Sequence, residues 1–188
     1  VGHPLLDEIS KIKHVNRQTF IKQNNLHPKK EIIALLPGSR KQEVTRMLEV
    51  MLRVVPKFPN YQFVIGCAPS LPIEFYNKIV GDNNVKFVVN KTYQLLQVAS
   101  AAVVTSGTAT LETALFFVPE VICYKGNPIS YSIAKRLVKV KYICLVNLIM
   151  DKPVVKELIQ NDLTVENISD ELKQLLSDPK RQCSLIDD

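Results

Sequence analysis

A small-residue turn carrying an arginine follows the first apolar run of the chain. Residues 32–36 are all Ile, Ala or Leu, and after Pro37 come Gly38, Ser39 and Arg40. Glycine lets the backbone approach a ligand closely, serine offers a hydroxyl donor, and arginine offers a fork of donors that suits a diphosphate. Taken alone, the segment is explained equally well as an ordinary glycine turn with a surface arginine.

A second turn of the same kind follows a later apolar run. Residues 101–104 are Ala and Val, and Ser106, Gly107 and Thr108 then open a helix-forming segment that carries Glu112 one turn further on. The first N–H groups of a helix lack partners and lie at the positive end of its dipole, so a phosphate is the natural guest. Glu112 is placed to bond a ribose diol, although a carboxylate there also simply favours the dipole.

Other common chemistries are not indicated. The two turns lack the GxxxxGK[ST] pattern that binds ATP and the GxGxxG pattern that binds NAD, and Ser106 lacks the GxSxG frame of a nucleophile elbow. We expect no metal site and no cofactor, because no set of histidines, cysteines and carboxylates has ligand spacing. The histidines and cysteines are His3, His14, His27, Cys67, Cys123, Cys144 and Cys183.

The composition is that of a globular α/β chain of 188 residues, 46% hydrophobic and 22% charged. A net charge of +6 suits phosphorylated substrates or an anionic membrane surface. Nucleic acid is the weakest partner of the three, because no arginine-rich run with interleaved aromatics occurs. The cysteines form no CxxC pair and no signal sequence is recognisable, which favours reduced thiols in a cytosolic protein. No apolar stretch reaches the ~20 residues that a transmembrane helix needs.

Strand and helix signals alternate after a polar lead-in at 1–30, and we take 31–188 as one domain. The predicted strands are 31–36, 61–66, 85–89, 101–105 and 120–124, and the predicted helices are 41–55, 72–80, 93–99, 108–117, 129–140, 153–160 and 165–177. Strands that are continuous apolar runs favour a parallel sheet covered on both faces, which is a Rossmann-like doubly wound α/β fold. Such sheets bind ligands at the carboxyl ends of their strands, where both turns fall.

Residues 129–142 mix apolar positions with Lys135, Arg136, Lys139 and Lys141. A basic helix of this kind could rest on anionic lipid or bind a phosphorylated acceptor. The solvated flank of a buried helix explains the same pattern and is favoured by periodicity alone.

Taken together, several segments resemble the lipid A disaccharide synthases in order and spacing over nearly the whole chain. They are VGHPLLD at 1–7, LLPGSRKQEV at 35–44, SGTATLE at 106–112, AKRLVK at 134–139, NLI at 147–149 and VKELIQ at 155–160. The resemblance implies the C-terminal, UDP-sugar-binding half of a glycosyltransferase B-type fold. Since Val1 reads like the middle of a polypeptide, we expect a fragment of a longer enzyme whose N-terminal domain is a further partner.

The resemblance also implies a reaction. Enzymes of this family transfer 2,3-diacylglucosamine, with inversion, from UDP-2,3-diacylglucosamine to 2,3-diacylglucosamine 1-phosphate (lipid X). The products are UDP and the β-1,6-linked disaccharide precursor of lipid A. The family needs no metal and lies peripherally at the cytoplasmic face of the inner membrane of Gram-negative bacteria.

Residue roles carry over by position. Arg40, with the backbone of Gly38 and Ser39, would neutralise the diphosphate and stabilise the leaving UDP. The remaining donor-site positions are Ser106, Gly107 and Thr108 for further contacts, Glu112 for the ribose, Asn147 near the donor, and Tyr124 and Lys125 on the loop beside it. The family often has Leu-Pro-Asn where this chain has Leu145-Val146-Asn147, which predicts only a change in loop stiffness.

The general base is expected in the absent N-terminal domain, so the fragment alone should bind UDP without turnover. Two other classes remain open. One is a different enzyme of the same fold that uses UDP-N-acetylglucosamine, either the transferase acting on lipid-linked muramyl pentapeptide or a 2-epimerase. The other is a non-catalytic nucleotide-binding module.

Overall fold

The computed structural model describes residues 11–126 and 141–177, together with Leu5 and Ile9, and strands and helices alternate through these ranges. The strands are β1 (Glu31–Leu36), β2 (Tyr61–Cys67), β3 (Lys86–Val89), β4 (Ala101–Thr105), β5 (Glu120–Tyr124) and β6 (Lys156–Ile159). The helices are α1 (Arg17–Gln23), α2 (Lys41–Leu52), α3 (Ile73–Val80), α4 (Thr92–Leu96), α5 (Thr108–Leu115), α6 (Leu145–Met150) and α7 (Val165–Ser177). Single 3-10 turns lie at Val55–Lys57 and Gln160–Asp162.

All six strands form one parallel sheet in the order β3-β2-β1-β4-β5-β6. The chain builds outward from β1 to β3 and then returns to place β4 on the other side of β1. This reversal is the topological switch point of a doubly wound sheet. Because Leu36 is in register with Val104, the ends of β1 and β4 lie side by side, and so do the turns that follow them. The predicted Rossmann-like fold is confirmed.

Both faces of the sheet are buried, which is why its inner strands are continuous apolar runs. Ile33, Leu35 and Val103 point to the face covered by α2, α3 and α7. Ile32 and Val104 point to the opposite face, which is covered by α1, α4, α5 and α6. The sheet is therefore held rigidly between two helical layers, and its carboxyl edge stays open for the turns.

The polar lead-in contains a helix that the sequence analysis did not predict. The Asn16 side chain caps α1 by accepting the N–H groups of Gln18 and Thr19, at 2.9 and 3.3 Å. Phe20 and Ile21 then enter the core beside β1. Two buried residues in one short helix are too few to produce a recognisable helical period.

The predicted helix at 153–160 is wrong, because this segment forms the edge strand β6 and then a 3-10 turn. Only Leu158 of β6 is fully buried, so the strand has no continuous apolar run to reveal it. The short helix α6 was not predicted either. The helix predicted at 129–140 lies outside the described residues. No helix in the described ranges is both long and apolar enough to cross a bilayer.

Candidate functional site

The turns after β1 and β4 line one cavity of about 500 Å³ at the carboxyl edge of the sheet. Seven of the predicted site residues meet there: Gly38, Ser39, Arg40, Ser106, Gly107, Thr108 and Glu112. The rest of the lining comes from the ends of the neighbouring strands and from α2, α4 and α5, and includes Leu36, Glu43, Gly66, Thr92 and Thr105. Segments far apart in sequence therefore converge because their strands are neighbours at the switch point.

The first turn is closed by its own helix. Gly38 has φ +103°, a conformation that favours glycine, and the Oε2 atom of Glu43 accepts the Ser39 N–H at 3.1 Å. The Glu43 carboxylate lies so close above Gly38 that a Cβ atom there would collide with it. The Gly38-Ser39 backbone is thus fixed before any ligand arrives.

Within the part of the chain that the structure describes, the N–H groups at the start of α2 and α5 have no acceptor. In α2 the Val44 N–H is the first to bond back, to the Arg40 carbonyl at 2.9 Å, and in α5 the first is that of Thr110, to Gly107 at 3.2 Å. Across residues 11–126 and 141–177, the backbone N–H groups of Gly107 and Thr108 find no hydrogen-bond acceptor. An anion in the cavity is the group that would satisfy them.

Arg40 is exposed at the mouth of the cavity. Its guanidinium makes no hydrogen bond or ion pair with any residue that the structure describes, and it is the one cation among the residues that line the cavity. Glu43 and Glu112 supply the negative charges of the lining. Since an arginine side chain is always protonated, Arg40 presents a permanent fork of donors to an incoming anion.

Ser106 is committed within the chain. Its hydroxyl donates to the Ile143 carbonyl at 3.3 Å, and its N–H donates to the Cys123 carbonyl at 2.9 Å. Neither of its two donors is therefore free for a ligand in this structure. The donors that the second turn offers to the cavity are those of Gly107 and Thr108.

Three predicted site residues do not line this cavity. Tyr124 ends β5 and folds its hydroxyl end over Gly126, and Lys125 is exposed beside it. Asn147 is only 1% exposed, and its amide bonds to both the N–H and the carbonyl of Val155, each at 2.9 Å. The polar atoms of Asn147 are thus used to hold the backbone rather than turned towards the cavity.

Sequence reasoning missed Glu43, Gly66, Thr92 and Thr105 as lining residues. Glu43 had a recognisable signal, because a glutamate at the third helical position often bonds back to the loop before its helix. Thr105 had none. It is 4% exposed, and its hydroxyl has no hydrogen-bond partner in the described part of the chain.

A second cavity of about 410 Å³ adjoins the first and shares Thr92 and Glu112 with it. Asn90 and Lys91, the first turn of α4 with Tyr93 and Gln94, and Ile12 form its remaining wall. Glu112 therefore lies between the two spaces. A ligand reaching from one cavity into the other would pass this carboxylate.

The three cysteines that the structure describes are buried, and none of them lines the cavity. Burial raises the pKa of the Cys67 and Cys144 thiols to about 12, and it also raises the pKa of Cys123. Neutral buried thiols are poor nucleophiles and poor metal ligands. No group of three or more His, Cys, Asp or Glu residues suited to a metal ion occurs within the described ranges.

The model of the lipid-A-disaccharide synthetase family matches residues 1–187. The chain belongs to this family. A lipid-A-disaccharide synthase from Coxiella burnetii (strain Dugway 5J108-111) is 37% identical over 190 aligned positions, which cover 99% of this chain and 50% of the relative. A lipid-A-disaccharide synthase from Geobacter metallireducens is 36% identical over 185 positions, covering 95% of this chain and 48% of the relative. The chain thus spans about half the length of these relatives.

Solved structures show the same fold at low identity. WaaG, a glycosyltransferase involved in lipopolysaccharide biosynthesis, is 14% identical with a TM-score of 0.59, and the match covers 94% of this chain and 46% of WaaG. The rhamnosyltransferase SpnG, complexed with thymidine diphosphate, is 15% identical with a TM-score of 0.61, covering 86% and 41%. A UDP-N-acetylglucosamine 2-epimerase is 16% identical with a TM-score of 0.50, covering 100% and 40%. Transferases and an epimerase share this architecture, so the family match, and not the fold, separates them.

Proposed function

We propose that this chain is the donor-nucleotide half of a lipid A disaccharide synthase and that its cavity binds the UDP part of UDP-2,3-diacylglucosamine. One observation carries the proposal. The N–H groups of Gly107 and Thr108 and the guanidinium of Arg40 have no partner among the described residues, and all three line the same cavity at the switch point. Permanent positive charge together with fixed backbone donors is the chemistry that recognises a diphosphate.

Two adjoining cavities suit the parts of a nucleoside diphosphate. The diphosphate would lie between Arg40 and the start of α5. The Glu112 carboxylate, between the two spaces, would accept hydrogen bonds from the ribose hydroxyls. The uracil would then occupy the second cavity, beside Thr92 and Tyr93.

The same groups would assist the transfer step. As the bond from the sugar to the diphosphate breaks, negative charge grows on the leaving UDP. Arg40 and the free N–H groups are already in place, so they stabilise that charge more in the transition state than in the ground state. Arg40 is accordingly the residue of this chain that we assign to leaving-group stabilisation.

In the whole enzyme, the acceptor would be lipid X and the products the β-1,6-linked disaccharide and UDP. We place the general base that takes the acceptor's proton in the N-terminal half, because inversion requires attack from the side opposite the UDP. We further propose that no metal or other cofactor takes part and that the enzyme lies at the cytoplasmic face of the inner membrane. The basic residues at 129–142 support that location.

Calorimetric titration of the chain with UDP, UDP-N-acetylglucosamine, ADP and GDP tests the proposal. We expect binding of both uridine ligands and a preference for UDP over ADP and GDP. Equal affinity for all three diphosphates would contradict a UDP-sugar site and favour a general nucleotide-binding module. A transfer assay with lipid X and the whole enzyme would then separate the synthase from the muramyl transferase and the 2-epimerase.

A further inference from the structure

Glu157, on the edge strand β6, is the centre of a polar cluster that lies away from the cavity. Its Oε1 atom accepts hydrogen bonds from the Cys144 N–H and from Nδ2 of Asn147, both at 3.0 Å. The Ile143 N–H is shared between the two carboxylate oxygens, at 3.2 and 3.0 Å. One carboxylate thus serves three donors, and all of them belong to the start of α6 or to the segment before it.

Asn147 fastens the same region from the helix side. Its Oδ1 atom accepts the Val155 N–H and its Nδ2 atom donates to the Val155 carbonyl, each at 2.9 Å. Residues 143–147 are therefore attached to β6 and to the residue before it by two polar side chains, the buried Asn147 and the half-buried Glu157. A fully satisfied network of this kind specifies one backbone arrangement.

A charged carboxylate at Glu157 provides acceptors for backbone N–H groups that regular secondary structure does not satisfy. A half-buried carboxylate loses solvation, and that loss is tolerated when several charge-assisted hydrogen bonds replace it. Ile143 and Cys144 lie outside regular helix and strand, so no sheet or helix ladder holds their N–H groups. An apolar residue in place of Glu157 would pack on β6 and leave these donors without an acceptor.

The peptide group between Ile143 and Cys144 links this cluster to the nucleotide cavity. Its N–H, which is that of Cys144, donates to Glu157 at 3.0 Å, and its carbonyl, which is that of Ile143, accepts the Ser106 hydroxyl at 3.3 Å. Ser106 is the first residue of the turn. Gly107 and Thr108 come directly after it, and their N–H groups have no acceptor in the described ranges. The orientation of one peptide group is therefore shared between Glu157 and the turn.

We propose that Glu157 is a positioning residue for the nucleotide site. It holds the peptide group between Ile143 and Cys144 so that the Ile143 carbonyl fixes Ser106 and, with it, the donors of Gly107 and Thr108. The inference rests on the proposed UDP site, because it assigns Glu157 a role in UDP affinity. In Glu157→Gln the new NH₂ group faces the N–H donors of Ile143 and Cys144, so this stretch of backbone loses at least part of its anchor. The Ser106 turn then samples more orientations and binds a diphosphate less well.

Simple electrostatics predicts the opposite sign for this substitution. Removing a negative charge from the neighbourhood of an anion site should strengthen the binding of an anion. The positioning role predicts weaker UDP binding, by about 2- to 30-fold, the usual range for residues that act through a network. Glu49→Gln is the matched control, since it removes one exposed carboxylate on α2 that does not line the cavity, and UDP affinity should stay unchanged.

The experiment is a calorimetric UDP titration of the wild-type chain and of the variants Glu157→Gln, Ser106→Ala and the double variant, with melting temperatures recorded for each. We expect the effect of Glu157→Gln to disappear in the Ser106→Ala background, because the link from Ile143 is already broken there. Undiminished effects of both substitutions in the double variant, or unchanged or tighter UDP binding by folded Glu157→Gln, would overturn the proposal. If Glu157→Gln does not fold, Glu157→Asp takes its place, since it keeps the charge but is too short to serve all three donors.

Amide hydrogen exchange of Ile143 and Cys144 without ligand separates this proposal from the proposed function. Exchange at both amides should accelerate in Glu157→Gln and stay unchanged in Glu49→Gln. A wild-type chain that does not bind UDP contradicts the proposed function, and the anchoring by Glu157 is then judged by exchange alone. Unaltered exchange in Glu157→Gln would contradict the anchoring whether or not UDP binds.

Discussion

The Glu43 carboxylate accepts the Ser39 N–H at 3.1 Å and so lies directly above Gly38. No described residue places a side chain over the turn after β4 in this way, since a Cβ atom on Gly107 would find the Thr105 carbonyl oxygen as its nearest described neighbour, at 3.9 Å. One turn is therefore closed by its own helix, and the other is open to the cavity. Glycine is therefore required at position 38 by the backbone conformation and the Glu43 carboxylate, and at position 107 by the space left for a ligand.

Substituting each glycine by alanine should separate an effect on stability, at Gly38, from an effect on UDP binding, at Gly107. Gly38→Ala places a side chain at φ +103° and displaces Glu43, so it should lower the melting temperature, at a cost of about 1–3 kcal/mol. Gly107 has φ 167°, an extended conformation open to any residue, so Gly107→Ala should melt like the wild type. Its methyl group enters the space assigned to the diphosphate and should weaken UDP binding about tenfold or more.

Thermal melting and UDP titration of both variants make this comparison. A destabilised Gly107→Ala variant would contradict the extended conformation of Gly107. Unchanged UDP affinity in a stable Gly107→Ala variant would instead remove the diphosphate from this turn.

The contrast between the turns also marks how far the sequence predicts the site. Both turns are recognisable in the sequence because each follows a strand that is buried on both faces. The strand order of a doubly wound sheet then places the two turns side by side. The closure of Gly38 by Glu43 was open to prediction from the helix-start pattern. The commitment of Ser106 to Ile143 was not, because it depends on where a loop 37 residues later in the chain returns to the sheet.

Glu112 should act on the nucleoside and not on the phosphates. Glu112→Ala removes a charged acceptor between the two cavities and should weaken UDP binding by about 10- to 100-fold. Pyrophosphate, which has no ribose, should bind the variant at least as well as the wild type. Parallel titrations with UDP and pyrophosphate measure both. Equal losses for the two ligands would assign Glu112 to the turn structure and not to the ribose.

Glu120 should make stability depend on pH. Its side chain is buried at the start of β5, both carboxyl oxygens lack hydrogen-bond partners among the described residues, and desolvation raises its pKa well above the usual 4.5. The folded protein therefore holds a proton that the unfolded chain releases. The contribution of Glu120 to the free energy of unfolding is therefore greatest below about pH 4.5. It falls as pH rises towards the folded-state pKa, by up to about 1.4 kcal/mol per pH unit.

Glu120→Met, which removes the buried carboxyl group at similar size, should raise the melting temperature more at pH 8 than at pH 5. Exposed Glu74→Met controls for the loss of one carboxylate. Scanning calorimetry at the two pH values measures the difference. A gain in stability for Glu120→Met that is the same at pH 5 and pH 8 would contradict a protonated Glu120.

The elements that escaped prediction share a physical cause. Helix α1 buries only Phe20 and Ile21, and strand β6 fully buries only Leu158, so neither has enough apolar positions to establish a period. Helix α2 buries five residues that recur every three or four positions, so its apolar pattern alone predicts a helix. The structural role of Asn147 was not predictable from sequence either. Its amide bonds to Val155 and Glu157, and these residues come close to it only because β6 joins the sheet.

The most direct test of the whole account is a UDP titration of the wild-type chain beside Arg40→Ala and Arg46→Ala. Arg46 is exposed on the same helix but does not line the cavity, so it matches Arg40 in charge and differs from it in position. We predict that Arg40→Ala loses about 10- to 100-fold in UDP affinity, the effect of removing a charged donor from a diphosphate, and that Arg46→Ala binds as the wild type does. Equal affinities for the wild type and Arg40→Ala would contradict the placement of the diphosphate in this cavity.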